Sequence, residues 1–213
     1  MDRTGQAASD MRAGVRSAAS RTRRDQILKA GLTLFLKQGV GSTTVGAILD
    51  RCGASIGSFY HQFDGKADVA AALYLETLES YERAFLAELR KHDRARNGVE
   101  AAVRWHLTWT AKHPDHASYL IHCREPEVVN LSEARAQQIN GIFYGEVSSW
   151  LRRHIDAGEI RKLPADVYFA LWMGPANEFT KLWLLSGNRD LRKIERARGL
   201  LADAGWSALR AGA

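Results

Sequence analysis

The chain has few cysteines and prolines, and it lacks long apolar runs. Its two cysteines, Cys52 and Cys123, are too few among 213 residues for the disulfide framework of a small secreted domain. No run of about 18 apolar residues predicts a membrane-spanning helix. The N-terminus contains arginines but no apolar segment of a secretory signal. We therefore expect a cytoplasmic protein, and the presence of only four prolines favours an all-helical fold.

Signatures of several enzyme and metal-protein classes are also missing. The sequence contains neither a phosphate-binding P-loop nor the H-E-x-x-H motif of zinc proteases. The pairs His113/His116 and His122/Cys123 carry side chains that bind zinc or copper. Pro114 interrupts the first pair, however, and no C-x-x-C spacing supports the second. We expect no catalytic residues, no cofactor and no metal site.

Positive charge is concentrated in the first third of the chain. Residues 1–66 hold ten basic and five acidic residues, and so account for +5 of the formal net charge of +6. A basic segment on a nearly neutral remainder favours a polyanionic partner, for which DNA and RNA are the usual candidates. A solvated basic tail without a partner is the alternative that charge alone leaves open.

The basic third divides into an arm and a set of short helices. Residues 1–20 are rich in Ala, Ser, Gly and Arg and predict a disordered basic arm. Apolar spacing then predicts helices over 21–40, 44–51, 56–61 and 66–89. We expect Ser42 or Thr43 to cap the second helix, Gly53 to end it and Ser55 to cap the third. Two short helices joined by a glycine-containing turn are typical of a helix-turn-helix.

This region also carries a family resemblance. The stretch GSTTVGAILDRCGASIGSFYHQFDGKADV resembles the N-terminal domain of TetR-family transcriptional repressors, in its Thr pair, its S-x-G-S-F-Y segment and the Lys two residues after Asp64. The resemblance covers about residues 21–70, with a departure at Gln62, where the family more often has an aromatic residue or His. It implies an all-α fold with a DNA-binding domain over 21–68 and a ligand-binding and dimerisation domain over 69–213.

The resemblance further implies a DNA interface around the third helix. Gly57 would let the helix backbone lie against base edges in the major groove. Gly57, Ser58 and Tyr60 would face bases, and the remaining contacts would be to phosphates. The residues expected to contact DNA are Arg23, Arg24, Thr43, Thr44, Ser55, Gly57, Ser58, Tyr60, His61, Gln62 and Lys66.

The larger domain is predicted to add five more helices, giving nine in total. They are expected over 98–113, 115–123, 132–157, 163–187 and 190–210, with Ser132 as a cap and a kink at Pro175. All six tryptophans lie at or after position 105. Aromatic rings with a few polar groups are typical of a pocket for a partly apolar ligand, although these rings could equally form a core. The residues expected to line an effector pocket are Trp105, His106, Trp109, Tyr119, Phe143, Trp150, Trp172 and Asn177.

These observations together predict a transcriptional regulator. We expect a homodimer that pairs through its last two helices, represses at a pseudo-palindromic operator in double-stranded DNA, and is released by an unidentified apolar or aromatic small molecule. Three alternatives stay open. They are an architectural DNA-binding protein without ligand control, an activator with the same head, and a ligand-binding module that has lost DNA recognition.

Overall fold

The described part of the protein is built from α-helices. A computed structural model describes the backbone of residues 3–123 and 125–212 and the side chains of residues 20–123 and 125–212. The helices are α1 (Arg3–Ser42), α2 (Val45–Cys52), α3 (Ile56–Tyr60), α4 (Lys66–Leu89), α5 (Ala95–Lys112), α6 (Pro114–His122), α7 (Pro126–Asp156), α8 (Ala165–Trp172), α9 (Gly174–Leu185) and α10 (Leu191–Leu209). The predicted all-α class is confirmed. α1 includes most of the arm predicted to be disordered over residues 1–20, of which only the Ser20 side chain is described. No helix in the described ranges is long and apolar enough to cross a membrane.

The helices group into two compact units. The head comprises Met1–Tyr74 and Cys123–Ser132, and the body comprises Leu75–His122 and Glu133–Ala213. This division differs from the predicted boundary after residue 68, because the first part of α4 and the segment Cys123–Ser132 group with the head. The sequence gives no signal for that segment, which is distant along the chain from the other head residues.

Apolar residues from α1 to α4 form the core of the head. Ile27, Ile48, Phe59 and Val69 are fully buried, and burial of such side chains is the main force that holds helices together. Phe63, which is also buried, lies with its ring centroid 6.0 Å from that of Phe59. Helices as short as α2 and α3 are marginal alone in water, so both depend on this core.

Gly39 ends the regular part of α1, as predicted. Its φ of 78° and ψ of 161° lie in a region that favours glycine. The N–H of Val40, directly after the kink, donates to Oε1 of Glu125 at 3.2 Å. The segment Cys123–Ser132 thus supplies a carboxylate to the turn that leads into α2.

The start of α7 differs from the prediction. The loop expected over 124–132 is wrong from Pro126 onward, because α7 already begins there. Proline suits a first helical turn, where its missing N–H is not needed. Ser132 is therefore not a cap. It lies inside α7, and its hydroxyl donates to the carbonyl of Val128 at 2.7 Å.

The helix predicted over 163–187 is two helices, so the described residues form ten helices rather than the nine predicted. α8 ends at Trp172, and α9 begins at Gly174 with Pro175 in its first turn. A proline inside a helix removes one hydrogen bond and clashes with the preceding turn. The distortion predicted at Pro175 is confirmed, and it is large enough to interrupt the helix.

The body packs α5 and α10 against each other and α8 against α10. Trp172 on α8 is almost fully buried, and its indole N–H donates to the carbonyl of Val99 at 2.9 Å. Gly205 allows α10 to pass close to this ring, because a Cβ there would lie 3.2 Å from the Trp172 carbonyl oxygen. A second close approach occurs at Gly98 on α5, which faces the ring edge of the buried Trp150 on α7.

We predict that Gly98→Ala lowers the free energy of unfolding by about 1–2 kcal/mol. The new methyl group would overlap the Trp150 ring, and overpacking of about 1–3 kcal/mol outweighs the gain of up to about 1 kcal/mol in helix propensity. Urea denaturation followed by circular dichroism measures the change. Gly145→Ala is the matched control, since a Cβ at this exposed α7 position meets nothing within 4 Å. Equal stabilisation of both variants would contradict the close contact.

Candidate nucleic-acid interface

Three local features place α3 on the surface of the head. The hydroxyl of Thr44 caps α2 by accepting from the N–H of Ala47 at 3.1 Å. Gly53 ends α2 in the left-handed conformation, with φ of 64°, which reverses the chain within a short turn. The hydroxyl of Ser55 then caps α3 by accepting from the N–H of Ser58 at 3.2 Å. The roles predicted for Gly53 and Ser55 are confirmed, whereas the α2 cap is Thr44 rather than Ser42 or Thr43.

The letters GASIG over residues 53–57 also spell the G-x-S-x-G motif of hydrolase nucleophiles. That motif requires a sharp turn from a strand into a helix, which exposes the serine hydroxyl above a sheet. Here the segment joins two helices, and the Ser55 hydroxyl is a helix cap. The context therefore does not support a nucleophile at this position.

The two sides of α3 have opposite character. Phe59 points into the core and is fully buried, whereas Ile56 and Tyr60 are 64% and 54% exposed. The Tyr60 ring packs edge-on against Phe59 with centroids 5.3 Å apart, which restricts its orientation. Ile56 was not among the predicted contacts. The sequence does indicate that Ile56 is exposed, because it directly follows the cap Ser55 on a helix too short to bury every face.

Neither backbone conformation nor close packing requires glycine at position 57. It lies in a regular helix, and a Cβ added there would meet nothing within 4 Å. Glycine inside a helix costs about 0.5–1 kcal/mol relative to alanine. No contact within the head offsets this cost, and a larger residue at position 57 would have room on the outward side of α3.

The predicted threonine pair separates into a core residue and a surface residue. Thr43 is fully buried, and its hydroxyl donates to the carbonyl of Gly39 at 2.8 Å. It cannot contact DNA in this conformation, and we remove it from the candidate interface. Thr44 is exposed at the first turn of α2, where free N–H groups and the helix dipole favour an anion.

Several predicted phosphate contacts are held by hydrogen bonds or ring contacts within the head. Arg23 donates to Oε1 of Gln26 at 3.0 Å and, at 3.5 Å, to the carbonyl of Gly53. The Arg24 guanidinium lies 5.1 Å from the centroid of the Phe63 ring, within the range of a cation–π contact.

Two further predicted contacts bond to the ends of neighbouring segments. The amide of Gln62 donates to the Ser20 hydroxyl at 2.6 Å. The ammonium of Lys66, at the start of α4, donates to the carbonyl of Gly41 at 2.6 Å. His61 is exposed and Ser58 is half-buried. Apart from Thr43, the predicted residues therefore keep at least part of their surface accessible.

Comparison with known proteins identifies this arrangement. Residues 27–73 match the family model described as bacterial regulatory proteins, tetR family. This segment is similar to the N-terminal domain of the TetR family. The HTH-type transcriptional regulator TcmR from Streptomyces glaucescens is 33% identical over 88 residues, which cover 41% of this chain and 37% of TcmR.

Solved TetR-family structures extend the likeness of fold to both units. A TetR family transcription regulator from Marinobacter aquaeolei VT8 has a TM-score of 0.70 at 16% identity and covers 92% of this chain and 99% of its own. The regulator FadR from Bacillus subtilis, solved in complex with stearoyl-CoA, has a TM-score of 0.71 at 16% identity, with 86% and 97% covered. Likeness at such identity establishes the fold.

In the body, the aromatic residues predicted to line an effector pocket mostly pack against one another. Phe85 lies 5.3 Å from Phe143, 5.8 Å from Trp105 and 6.0 Å from Trp172 between ring centroids. Four residues of the set are buried, namely Tyr119, Phe143, Trp150 and Trp172. Two are half-buried, Trp105 and Trp109, and Asn177 is exposed. Core packing therefore accounts for most of this set. Trp150 also lines a described cavity.

A hydrogen-bonded chain crosses the aromatic cluster. The Tyr81 hydroxyl and Nδ1 of His106 lie 2.7 Å apart, and Nε2 of His106 lies 3.0 Å from the Thr180 hydroxyl. Burial lowers the pKa of His106 to about 4, so this ring is neutral at pH 7. Because both ring nitrogens of His106 already have partners, the residue links α4, α5 and α9 and has no free nitrogen for a ligand.

Glu82, which sequence analysis did not select, is a buried carboxyl group on α4. It is 6% exposed, and its Oε2 has no hydrogen-bond partner among the described residues. Burial raises the pKa of Glu82 to about 7. Tyr81 on α4 and Tyr144 on α7 lie near enough for the Glu82 charge to raise the pKa of both phenols further, after burial itself.

The histidine and cysteine pairs considered for metal binding do not form a larger cluster. The rings of His113 and His116 have centroids 6.2 Å apart. His122 bonds through Nδ1 to Ser118 on its own helix. Across the described ranges, no group of three or more His, Cys, Asp or Glu side chains is placed to hold a metal ion.

We predict that Glu82→Gln becomes progressively more stabilising, relative to the parent protein, as pH rises from 5 to 8. The folded-state pKa of about 7 is above the ordinary 4.5, so the folded protein binds this proton more tightly than the unfolded chain does. The contribution of Glu82 to stability is full below pH 4.5 and is lost as pH rises through 7. Glutamine cannot ionise, and we expect a relative change of about 1 kcal/mol or more, because one pKa unit corresponds to about 1.36 kcal/mol.

Urea denaturation at several pH values measures this difference. His106 titrates alike in both proteins and cancels in the comparison. Glu79→Gln, at an exposed position of α4, is the control and should show no comparable trend. Parallel pH profiles for the parent protein and Glu82→Gln would contradict the burial of this carboxyl group.

Proposed function

We propose that the protein is a sequence-specific DNA-binding transcriptional regulator that acts as a homodimeric repressor. The observation that carries the proposal is the outward face of α3, where Gly57 leaves open space between the exposed side chains of Ile56 and Tyr60. The match of residues 27–73 to the TetR family supports it. A major groove about 12 Å wide admits such a helix.

In this proposal α3 reads bases and the surrounding side chains fix its register. Tyr60 and Ser58 offer hydroxyl groups to base edges, and Ile56 offers an apolar contact for a thymine methyl group. The N-terminus of α2 with Thr44 takes one phosphate. Lys66 exchanges its exposed bond to Gly41 for another phosphate, which costs little because such surface bonds contribute only about 0.5–1.5 kcal/mol net.

Dimerisation would supply the second half-site that one short helix cannot read alone. The apolar residues of α8, α9 and α10 that are predicted to pair two copies fall into a buried set and an exposed set. Trp172, Met173, Trp183, Ile194 and Leu209 are buried within the body. Leu182 and Leu185 on α9 and Leu191 and Leu200 on α10 are instead 59–73% exposed. A large exposed apolar surface marks an interaction site, and we propose that these leucines meet a second copy.

We further propose that a small molecule in the body releases the operator. FadR from Bacillus subtilis, which shares this fold, was solved with stearoyl-CoA, and this supports small-molecule control here. α4 contains residues of both units and is the element we expect to carry the shift. Near-complete switching requires the ligand to favour the DNA-incompetent state by roughly 5 kcal/mol.

The DNA-binding proposal predicts that Gly57→Ala weakens specific binding by about tenfold or more while leaving the fold intact. A methyl group at Gly57 meets nothing inside the head, so the loss would arise at the base edges, where one contact contributes about 1–3 kcal/mol. Sites are first selected from random duplex DNA with the parent protein. Affinity for the selected site and for a scrambled duplex is then measured at two salt concentrations.

Gly141→Ala on α7 is the matched control, because its Cβ also meets nothing within 4 Å and it lies in the body. It should bind the selected site like the parent protein. Equal, steeply salt-dependent affinity of the parent for selected and scrambled duplexes would replace this proposal with a low-selectivity architectural role. Absence of binding to any duplex would remove DNA from the proposal altogether.

The dimer proposal predicts that Leu200→Glu shifts the protein to a monomer. A charge placed at the most exposed of the four leucines, 73% accessible in the single chain, would be desolvated in an interface without a partner. Light scattering after size exclusion at micromolar concentration gives the mass. Leu131→Glu is the control, since Leu131 is 59% exposed and lies outside α9 and α10. A parent protein that is already monomeric would contradict the proposal.

A further inference from the structure

A cleft in the body lies between the C-terminal end of α4 and the second half of α7. Its volume is about 360 Å³, within the range of about 300–1,000 Å³ typical of small-molecule sites. The lining residues are Leu86 and Leu89 from α4, Arg90 directly after it, and Glu146, Ser149, Trp150 and Arg153 from α7. Their spacings of three and four residues place each set on one helix face.

The interior of the cleft is apolar. Leu86, Leu89 and Trp150 are all buried, so their lining surface belongs to the edge of the body's core. Trp150 is held in place by Trp172, whose ring stacks on it with centroids 5.9 Å apart. The indole N–H of Trp150 is buried and has no acceptor among the described residues. A rigid aromatic wall is suited to a flat or elongated apolar group.

The rim of the cleft is net positive. Arg90, directly after α4, and Glu146 on α7 form an ion pair of 2.8 Å, so their charges offset each other. Arg153 is exposed and has no ion-pair partner among the described residues. The Ser149 hydroxyl already donates to the Gly145 carbonyl at 2.9 Å. Arg153 is thus the uncompensated charge of the lining, and its planar guanidinium matches a carboxylate or a similar anion.

We infer that this cleft binds an amphipathic organic anion, with the apolar part of the ligand against Leu86, Leu89 and Trp150 and the anionic group on Arg153. The inference deepens the proposed function by naming the chemical class of the effector, and its regulatory meaning rests on that function. Binding itself is independent of DNA. The site differs from the aromatic set predicted from sequence, which shares only Trp150 with it.

The probes are 2-naphthoate and decanoate, each compared with its uncharged amide by isothermal titration calorimetry on the full chain. We expect both carboxylates to bind at one site per chain, and each amide to bind about tenfold or more weakly, because a charge-assisted hydrogen bond is lost. Arg153→Gln should reduce carboxylate affinity by a similar factor and leave amide affinity unchanged. Arg152→Gln, at the neighbouring exposed arginine outside the lining, should change neither.

A second pair of variants tests the position of the site without removing a charge. Ser149→Tyr places a ring in the cleft and should abolish binding of both carboxylates, whereas Ser148→Tyr, exposed but outside the lining, should not. Thermal unfolding checks that all variants are folded. No carboxylate binding at millimolar concentration, or equal binding by Ser149→Tyr and the parent protein, would overturn the inference.

Binding to the selected DNA site, measured in parallel, separates the two proposals. Selective DNA binding without carboxylate binding leaves the regulator and removes this cleft as its effector site. Carboxylate binding without selective DNA binding keeps the cleft and removes the proposed function. If the carboxylate also weakens DNA binding, and weakens it less in Arg153→Gln, the cleft is the effector site of the proposed regulator.

Discussion

The surface that the head presents depends on the burial of Phe59. A five-residue helix has no stability of its own in water, because it forms too few hydrogen bonds to offset the ordering of its backbone. Phe59, fully buried beside Phe63, fixes α3 to the core, while Ser55 caps its first turn. The same burial turns Ile56, Gly57 and Tyr60 outward. Stability of the head and exposure of its candidate reading face therefore have one cause.

Polar side chains around α3 are partly exposed to solvent and also form hydrogen bonds between the helices of the head. Arg23 reaches the carbonyl at the end of α2, and Lys66 reaches the carbonyl before its start. These bonds fix the position of α2 relative to α1 and α4. A protein that reads DNA with one short helix needs such a defined register, because contacts to the phosphate backbone position the helix that reads the bases. Thr43, by contrast, uses its hydroxyl entirely within the turn at Gly39.

The body contains a packed aromatic cluster and, beside α4, an open cleft. Its aromatic residues contact one another at centroid distances of 5–6 Å and leave His106 with both nitrogens bonded. Trp150 belongs to this packed cluster and to the cleft beside α4, and Gly98 makes its position possible by omitting a side chain. Glu82 lies one helical turn before Leu86 on α4, and its buried Oε2 has no hydrogen-bond partner among the described residues.

The sequence by itself determined the class of fold, most helix boundaries and the identity of the head. Apolar spacing, caps and glycines act over three or four residues, so the turn at Gly53, the cap at Ser55 and the limits of α4 can be derived from local rules. The family resemblance over residues 21–70 is equally local. These properties need no knowledge of distant contacts.

Only the tertiary structure decided what each side chain does once the helices pack. Thr43 and Thr44 are neighbours with the same chemistry, yet one is buried and the other is exposed. The segment Cys123–Ser132 groups with the head, and most of the aromatic residues expected to surround a ligand pack in the core. Both outcomes depend on which helix faces meet across long stretches of chain. The cleft at Arg153 arises in the same way, from two helices whose facing residues are about 60 positions apart.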